Sequence, residues 1–135
     1  MIRAGILLRI DEVLPNVQLR REKGTPVKEV NFYGHDIKMN SIRYKVFAEK
    51  GIKCVTCGIE GKYFAIEKHC NKNGKGRNNK NRHHLNLYAL DKNKQEVLMT
   101  VDHTIPASKG GKRVLENLEP MCTHCNREKG DKIVC

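Results

Sequence analysis

Val30 and Phe32 alternate with polar neighbours, and so do Ile37 and Met39. A period of two predicts a pair of strands. Tyr33-Gly34-His35-Asp36 lies between them, and Gly34 can supply the positive φ of a hairpin turn. The polar stretch Arg20 to Thr25 ends in Pro26 and reads as a loop. Over residues 41–51 the period changes. Ile42 and Val46 share one face at helical spacing with Phe47 beside them, Asn40 or Ser41 can cap the start, and Gly51 suits the stop. Arg43, Lys45 and Lys50 are expected to face outward from this helix. From His84 the pattern is strand-like again, with Leu85, Leu87 and Ala89 alternating with Asn86, Tyr88 and Leu90. Asp91 to Lys94 makes a turn, and Val97 to Val101 is a buried strand that delivers Asp102-His103 at its end, where Ile105-Pro106 stops it. Ser108 to Lys112 is a loop. Leu115 to Met121 contains a second short strand, and Thr123 to about Lys129 forms a helix that Gly130 ends.

Composition limits what these elements can build. A chain of 135 residues has room for one domain, or for one with a small appendage. The apolar share is 39% and there is no Trp, so the core is small and metal stabilisation is expected. The division read from the sequence is a β-rich N-terminal appendage over 1–40 and a main domain over 41–135.

Charge adds a partner. Lys and Arg number 26 against 15 Asp and Glu, a formal +11, which is the electrostatic footprint of a nucleic-acid binder. Much of it collects near 67–84, where Lys68, Lys72, Lys75, Arg77, Lys80 and Arg82 are interleaved with Asn and Gly, and no acid appears between Lys68 and Leu90. With almost no apolar content this stretch is expected to be a mobile loop. Lys72, Lys75, Arg77, Lys80 and Arg82 are candidate phosphate contacts; a solvated linker is the alternative. No apolar run approaches the ~20 residues of a membrane span. Gly5-Ile6-Leu7-Leu8 is broken by Arg9 and Asp11, too short for an export signal. A cytoplasmic protein, of a bacterial cell or a phage-infected host, is the expectation.

In that setting cysteines read as metal ligands or thiols rather than disulfides. Cys54-Val-Thr-Cys57 and Cys122-Thr-His-Cys125 are two Cys-x-x-Cys pairs, the ligand set of a structural Zn²⁺ site. Such a site can contribute about 10–16 kcal/mol of apparent binding energy to folding. His124 is a spacer, because four cysteines already close a tetrahedral shell. Cys70 and Cys135 are left as plain thiols; His69-Cys70 could be a second half-site, but it has no partner pair.

Strand, loop, strand and helix, with Asp102-His103-Thr104-Ile105-Pro106, Gly110-Gly111, Asn117-Leu118, Cys122-x-x-Cys125-Asn126 and Lys129-Gly130 along them, resemble the HNH endonuclease family and its ββα-metal finger. With Cys54 and Cys57 upstream, the resemblance covers about the C-terminal two-thirds of the chain. It implies a ββα-metal (HNH/His-Me finger) core; residues 1–40 lie outside it, and with the zinc staple and the N-terminal hairpin and helix appendage read above, the expected fold is a small zinc-stapled α+β domain. It implies a metal-dependent DNA endonuclease giving 5′-phosphate and 3′-hydroxyl ends. His103 resembles the general base, and Asp102 and Asn126 the ligands of a catalytic Mg²⁺ or Mn²⁺. Asn117 resembles the middle Asn that braces the loop and aims the His.

The chemistry is consistent with these roles. Phosphodiester hydrolysis needs an activated water, neutralisation of the phosphate and stabilisation of the leaving oxygen. A neutral imidazole can take the proton, and a hard cation held by a carboxylate and an amide oxygen can do the rest. On a strand Asp102 and His103 point to opposite sides, so base and ligand need a bend there. The family pattern ends in His where this chain has Asn126; an amide oxygen favours a hard ion over Zn²⁺ and leaves the metal's identity open. Taken singly, His103 could be a core histidine, Asn117 a turn residue and Asn126 a surface residue. The alternative function is a zinc-stapled DNA-binding module without catalysis. RNA is the less favoured partner, since no RNP-type motif is present and only four Tyr and three Phe are available for stacking.

Overall fold

The computed structural model describes residues 2–68 and 82–129. Lys72, Lys75, Arg77 and Lys80, with His69, Cys70, Gly130 and Cys135, lie outside the described residues. Seven strands and three helices follow one another as β1 (Ile2–Leu8), α1 (Ile10–Val13), β2 (Glu29–Phe32), β3 (His35–Lys38), α2 (Ile42–Lys50), β4 (Gly61–Lys68), β5 (His84–Leu90), β6 (Glu96–His103), β7 (Leu118–Cys122) and α3 (Thr123–Lys129). β1-β4-β5-β6-β7 is the order of one antiparallel sheet, and β2 and β3 form a separate hairpin. This is the expected α+β class.

The hairpin turns through Tyr33 at φ 51° and Gly34 at φ 95°, the two positive values of a tight two-residue turn. His35 and Asp36, read from the sequence as part of the turn, already belong to β3. Asn31 Oδ1 accepts from Gly34 N at 2.9 Å and Tyr33 Oη donates to Glu12 Oε1 at 2.8 Å, which holds the turn against α1. Helix α2 begins after Ser41 and ends at Gly51, φ 101°, as its pattern predicts. β4 was not evident in the sequence. Phe64, Ala65, Ile66 and Glu67 are buried in succession, so the strand lacks the alternation that marks a half-exposed one. The N-terminal strand β1 pairs with β4, Ile2 opposite Lys68 and Leu8 opposite Phe64, and is an edge strand of the main sheet.

The core gathers Leu8, Val13, Phe32, Ile37 and Met39 from the N-terminal segment with Tyr44 and Phe47 of α2 and Phe64, Ile66, Leu85, Leu87 and Met99 of the sheet. Phe47 meets Phe64 edge to face at 6.4 Å. Glu67 is the buried charge. Its carboxylate accepts from Arg3 Nε at 2.9 Å, Asn86 Nδ2 at 2.6 Å and Tyr88 Oη at 2.7 Å, the satisfaction a buried carboxylate requires.

One expectation for α2 needs correction. Arg43 does not face solvent: its Nη2 donates to Leu85 O at 2.9 Å and to Asn86 Oδ1 at 3.2 Å. Leu85 N donates to Tyr44 Oη at 2.8 Å. Both backbone groups of Leu85 are therefore engaged by the helix. The β5–β6 ladder runs only through Tyr88–Leu98, Ala89–Val97 and Leu90–Glu96. Helix α2 thus wedges the sheet open, and Lys50 Nζ reaches across to Leu118 O at 2.6 Å to hold β7.

Candidate metal centre and catalytic finger

The ends of β7 and of the segment after α2 meet at the four cysteines. Cys54 N donates to Ile59 O and Gly58 N to Cys54 O, both at 2.9 Å, closing the first Cys-x-x-Cys pair into a tight turn. Val55 N donates to Pro120 O at 3.1 Å and ties that turn to β7, which ends in Cys122; Cys125 follows one turn into α3. The four Sγ atoms lie within 4.8 Å of one another, and Cys57 Sγ is 3.8 Å from Cys122 Sγ. A tetrahedron of Zn–S bonds near 2.3 Å has edges of about 3.8 Å, so the set fits Zn²⁺. Cys54 and Cys122 are buried, and Cys57 is exposed. Burial opposes ionisation of Cys54, yet hydrogen bonds from the backbone of Cys57, Cys122 and Thr56 bring its pKa down to about 6. Burial, then crowding by the neighbouring sulfurs, pushes Cys125 up. These four thiols could hold a metal such as zinc. His124 is exposed.

β6 and β7 pair along Met99–Cys122, Thr100–Met121, Val101–Pro120, Asp102–Glu119 and His103–Leu118. The pairing carries Asp102-His103 to the strand end opposite Leu118 and delivers β7 directly into α3. Thr100 and Asp102, two apart, share a strand face, and α3 lies against it. Asn126 Nδ2 donates to Thr100 Oγ1 at 3.0 Å, and Thr100 Oγ1 donates to Met121 O at 2.7 Å. Lys129, one helical turn on from Asn126, places Nζ 2.8 Å from Asp102 Oδ2 and donates to His103 O at 3.0 Å. Asp102, Asn126 and Lys129 therefore gather on one side of β6. His103 is half-buried and meets this group only through its carbonyl oxygen.

Asn117 closes the loop that joins β6 to β7. Its Oδ1 accepts from Ile105 N at 2.8 Å, and its Nδ2 donates to Ile105 O at 3.1 Å and Lys112 O at 2.9 Å. Thr104 N adds a bond to Asn117 O at 2.8 Å. The packing inside the loop requires glycine at 111, where a Cβ would fall 1.7 Å from Ile105 O and 2.9 Å from Asn117 Nδ2.

A carboxylate and an amide oxygen are the donors a hard divalent cation takes, so Asp102 and Asn126 fit that class. Thr100 orients the Asn126 amide through its nitrogen, leaving the oxygen as the atom to offer. The ammonium of Lys129 is the competing cation at Asp102. Sequence reasoning gave Thr100 no part and counted Lys129 only among the residues that carry the family resemblance. The spacing of Lys129 three residues after Asn126, which puts both on one helix face, was the available signal. Arg82 is exposed at the entry to β5; the remaining basic-loop candidates fall outside the described residues.

Residues 90–132 match the family model described as HNH endonuclease. The match begins at the last residue of β5 and takes in β6, the Asn117 loop, β7 and α3. That stretch, about a third of the chain, is similar to HNH endonuclease domains, which suggests a nuclease-type function. It includes Cys122 and Cys125; Cys54 and Cys57 lie upstream of it, and the clustering of all four is consistent with a zinc-stapled variant. No curated protein and no solved structure shows significant similarity to the chain. No helix of the described residues is long and apolar enough to cross a membrane.

Proposed function

We propose that this protein is a metal-dependent DNA endonuclease that hydrolyses phosphodiester bonds to 5′-phosphate and 3′-hydroxyl ends. The observation that carries the reading is the convergence of Asp102 and Asn126 on one face of β6 inside an HNH-matched segment. Asp102 and Asn126 would hold Mg²⁺ or Mn²⁺, which when bound neutralises the phosphate and stabilises the leaving oxygen. His103 takes the proton from the attacking water as general base. Asn117 acts through the loop it closes, setting the direction in which the strand end presents His103. Zn²⁺ on Cys54, Cys57, Cys122 and Cys125 fixes the start of α3 and so the place of Asn126. Arg82 and the basic stretch Lys72, Lys75, Arg77 and Lys80 bind the DNA backbone. Free zinc-ligating thiols suit a reducing compartment, and we assign the protein to the cytoplasm.

A second reading is a zinc-stapled DNA-binding module without catalysis. The Lys129–Asp102 ion pair favours it, because the carboxylate is already neutralised by the protein's own cation. Plasmid incubation without added metal, with Mg²⁺ and with Mn²⁺ separates the two, using the native chain and His103→Ala with zinc content checked in each. Metal-dependent cleavage lost in a zinc-loaded His103→Ala protein is the expected result. Binding without cleavage under every condition would select the module.

A further inference from the structure

The sheet end that presents Asp102-His103 carries a second cluster, which the catalytic reading does not use. β5 and β6 are antiparallel, so the start of β5 and the finish of β6 lie at the same end of the sheet. β4 also finishes there, with Glu67 opposite His84 and Lys68 next. The β2–β3 hairpin contributes His35, whose ring lies against that of His83 with centroids 4.5 Å apart and planes inclined at 59°. His35, His83 and Lys68 are half-buried and Arg82 is exposed.

The surroundings are cationic. Burial first, then the charges of His35 and Lys68, hold His83 below the ordinary imidazole range. The neighbouring carboxylate, Glu67, accepts from Arg3, Asn86 and Tyr88. Asp36, beside His35 on the hairpin, accepts from Asn31 Nδ2 at 2.8 Å, and His84 Nε2 lies 3.4 Å from Asn86 Nδ2. A metal cation would meet the repulsion of Lys68, whereas an anion would relieve it. His83, buried beside His35 and Lys68, resists protonation until an anion arrives.

Resting on the nucleic-acid reading above, we propose that His35, His83, Lys68 and Arg82 form a phosphodiester-binding site that grips the DNA backbone at this end of the sheet, with His83 taking up a proton as it engages. Because the phosphate favours the charged ring of His83 in the complex, affinity strengthens as pH falls toward the range where the free ring of His83 titrates.

The test is the affinity of a duplex oligonucleotide for the full chain at pH 6 and pH 8, with no divalent cation added. For the native protein we expect binding roughly threefold to fivefold tighter at pH 6, part of the tenfold that a pKa rise of one unit in one ring carries in full only below the free ring's pKa. The salt slope should steepen by about 1 for each ring that gains a phosphate. His35→Gln/His83→Gln should lose most of the pH increment. The ring signals of His83 in the native protein give an independent readout, since they should titrate at higher pH with duplex than without. A double variant with the native increment, a His83 that titrates alike with and without duplex, or native binding that ignores pH would each overturn the site. Absence of duplex binding by the native chain at both pH values would instead remove the nucleic-acid reading, and this site with it.

Discussion

Asn117→Ala tests the loop that closes the finger. The side chain makes three hydrogen bonds inside that loop, one accepted from Ile105 and two donated to Ile105 and Lys112. Each is worth about 1 kcal/mol net, and partial exposure discounts the set to about 2 kcal/mol. The loss should be local, because all three bonds stay within the loop. Hydrogen exchange read by mass spectrometry should speed up over residues 104–117 by roughly 30-fold, the factor equivalent to 2 kcal/mol, with the rest of the chain unchanged. Asn117→Asp keeps an acceptor for Ile105 N but turns a carboxylate toward two carbonyl oxygens, so it should protect the loop no better than Ala. DNA cleavage should fall in both variants while zinc content stays at the native level. Unchanged exchange over 104–117 in Asn117→Ala would refute the bracing argument. A loss of protection spread over the whole chain would show that Asn117 serves global stability instead.

Three further perturbations bear on the rest of the molecule. Cys122→Ser should abolish stoichiometric zinc and leave little cooperative thermal transition, because about 10–16 kcal/mol of apparent metal binding matches or exceeds the usual 5–15 kcal/mol stability of a domain; a zinc-free variant melting like the native protein would contradict this. Glu67→Gln should cost about 3 kcal/mol in urea unfolding at neutral pH, the order expected when one partner of a buried pair is removed. Arg3, Asn86 and Tyr88 hold Glu67 below the usual carboxylate range although burial opposes them. Its contribution is therefore present above that range and is lost as pH falls through the lowered folded value, so the gap between native and variant should close in acid. Lys129→Met should tighten Mn²⁺ binding several-fold in a calorimetric or paramagnetic titration, since it frees the Asp102 carboxylate; equal affinities would mean that the ion pair does not compete with a metal.

The parts legible in the sequence are those where a local rule decides the outcome. Gly34 and Gly51 mark a turn and a helix stop through φ alone, and both stand where the pattern put them. Val97 to Val101 leads into Asp102-His103 as a strand because an apolar run ending in polar residues has few other uses. What escaped depends on tertiary context. β4 is buried on both faces over 64–67, so its sequence lacks a period of two, and its polar member Glu67 reads as surface until Arg3, Asn86 and Tyr88 are brought to it. Arg43 sits between buried neighbours, and only the missing β6 partner of Leu85 explains why a guanidinium turns inward. For the finger, the resemblance to HNH endonucleases gave Asp102, His103, Asn117 and Asn126 their roles and included Lys129 without one. The contacts of Lys129 and Thr100 emerged only once α3 was laid across β6.

The wedge formed by Tyr44 and Arg43 has a consequence for inheritance. It leaves the two portions of the sheet joined at a narrow seam between Tyr88 and Leu98, closed by the short turn over 91–95, and the family match starts at residue 90, on that seam. Beyond the seam the tool is held by few ties, Lys50 to Leu118, Val55 to Pro120 and the four cysteines, so it can be carried from one scaffold to another together with residues 50–57. What precedes the seam in this chain, namely the edge strand, the hairpin and the basic connection, is then free to diverge with each new target. The parts to compare between descendants of such a protein are the grips around the tool, and least of all the tool itself.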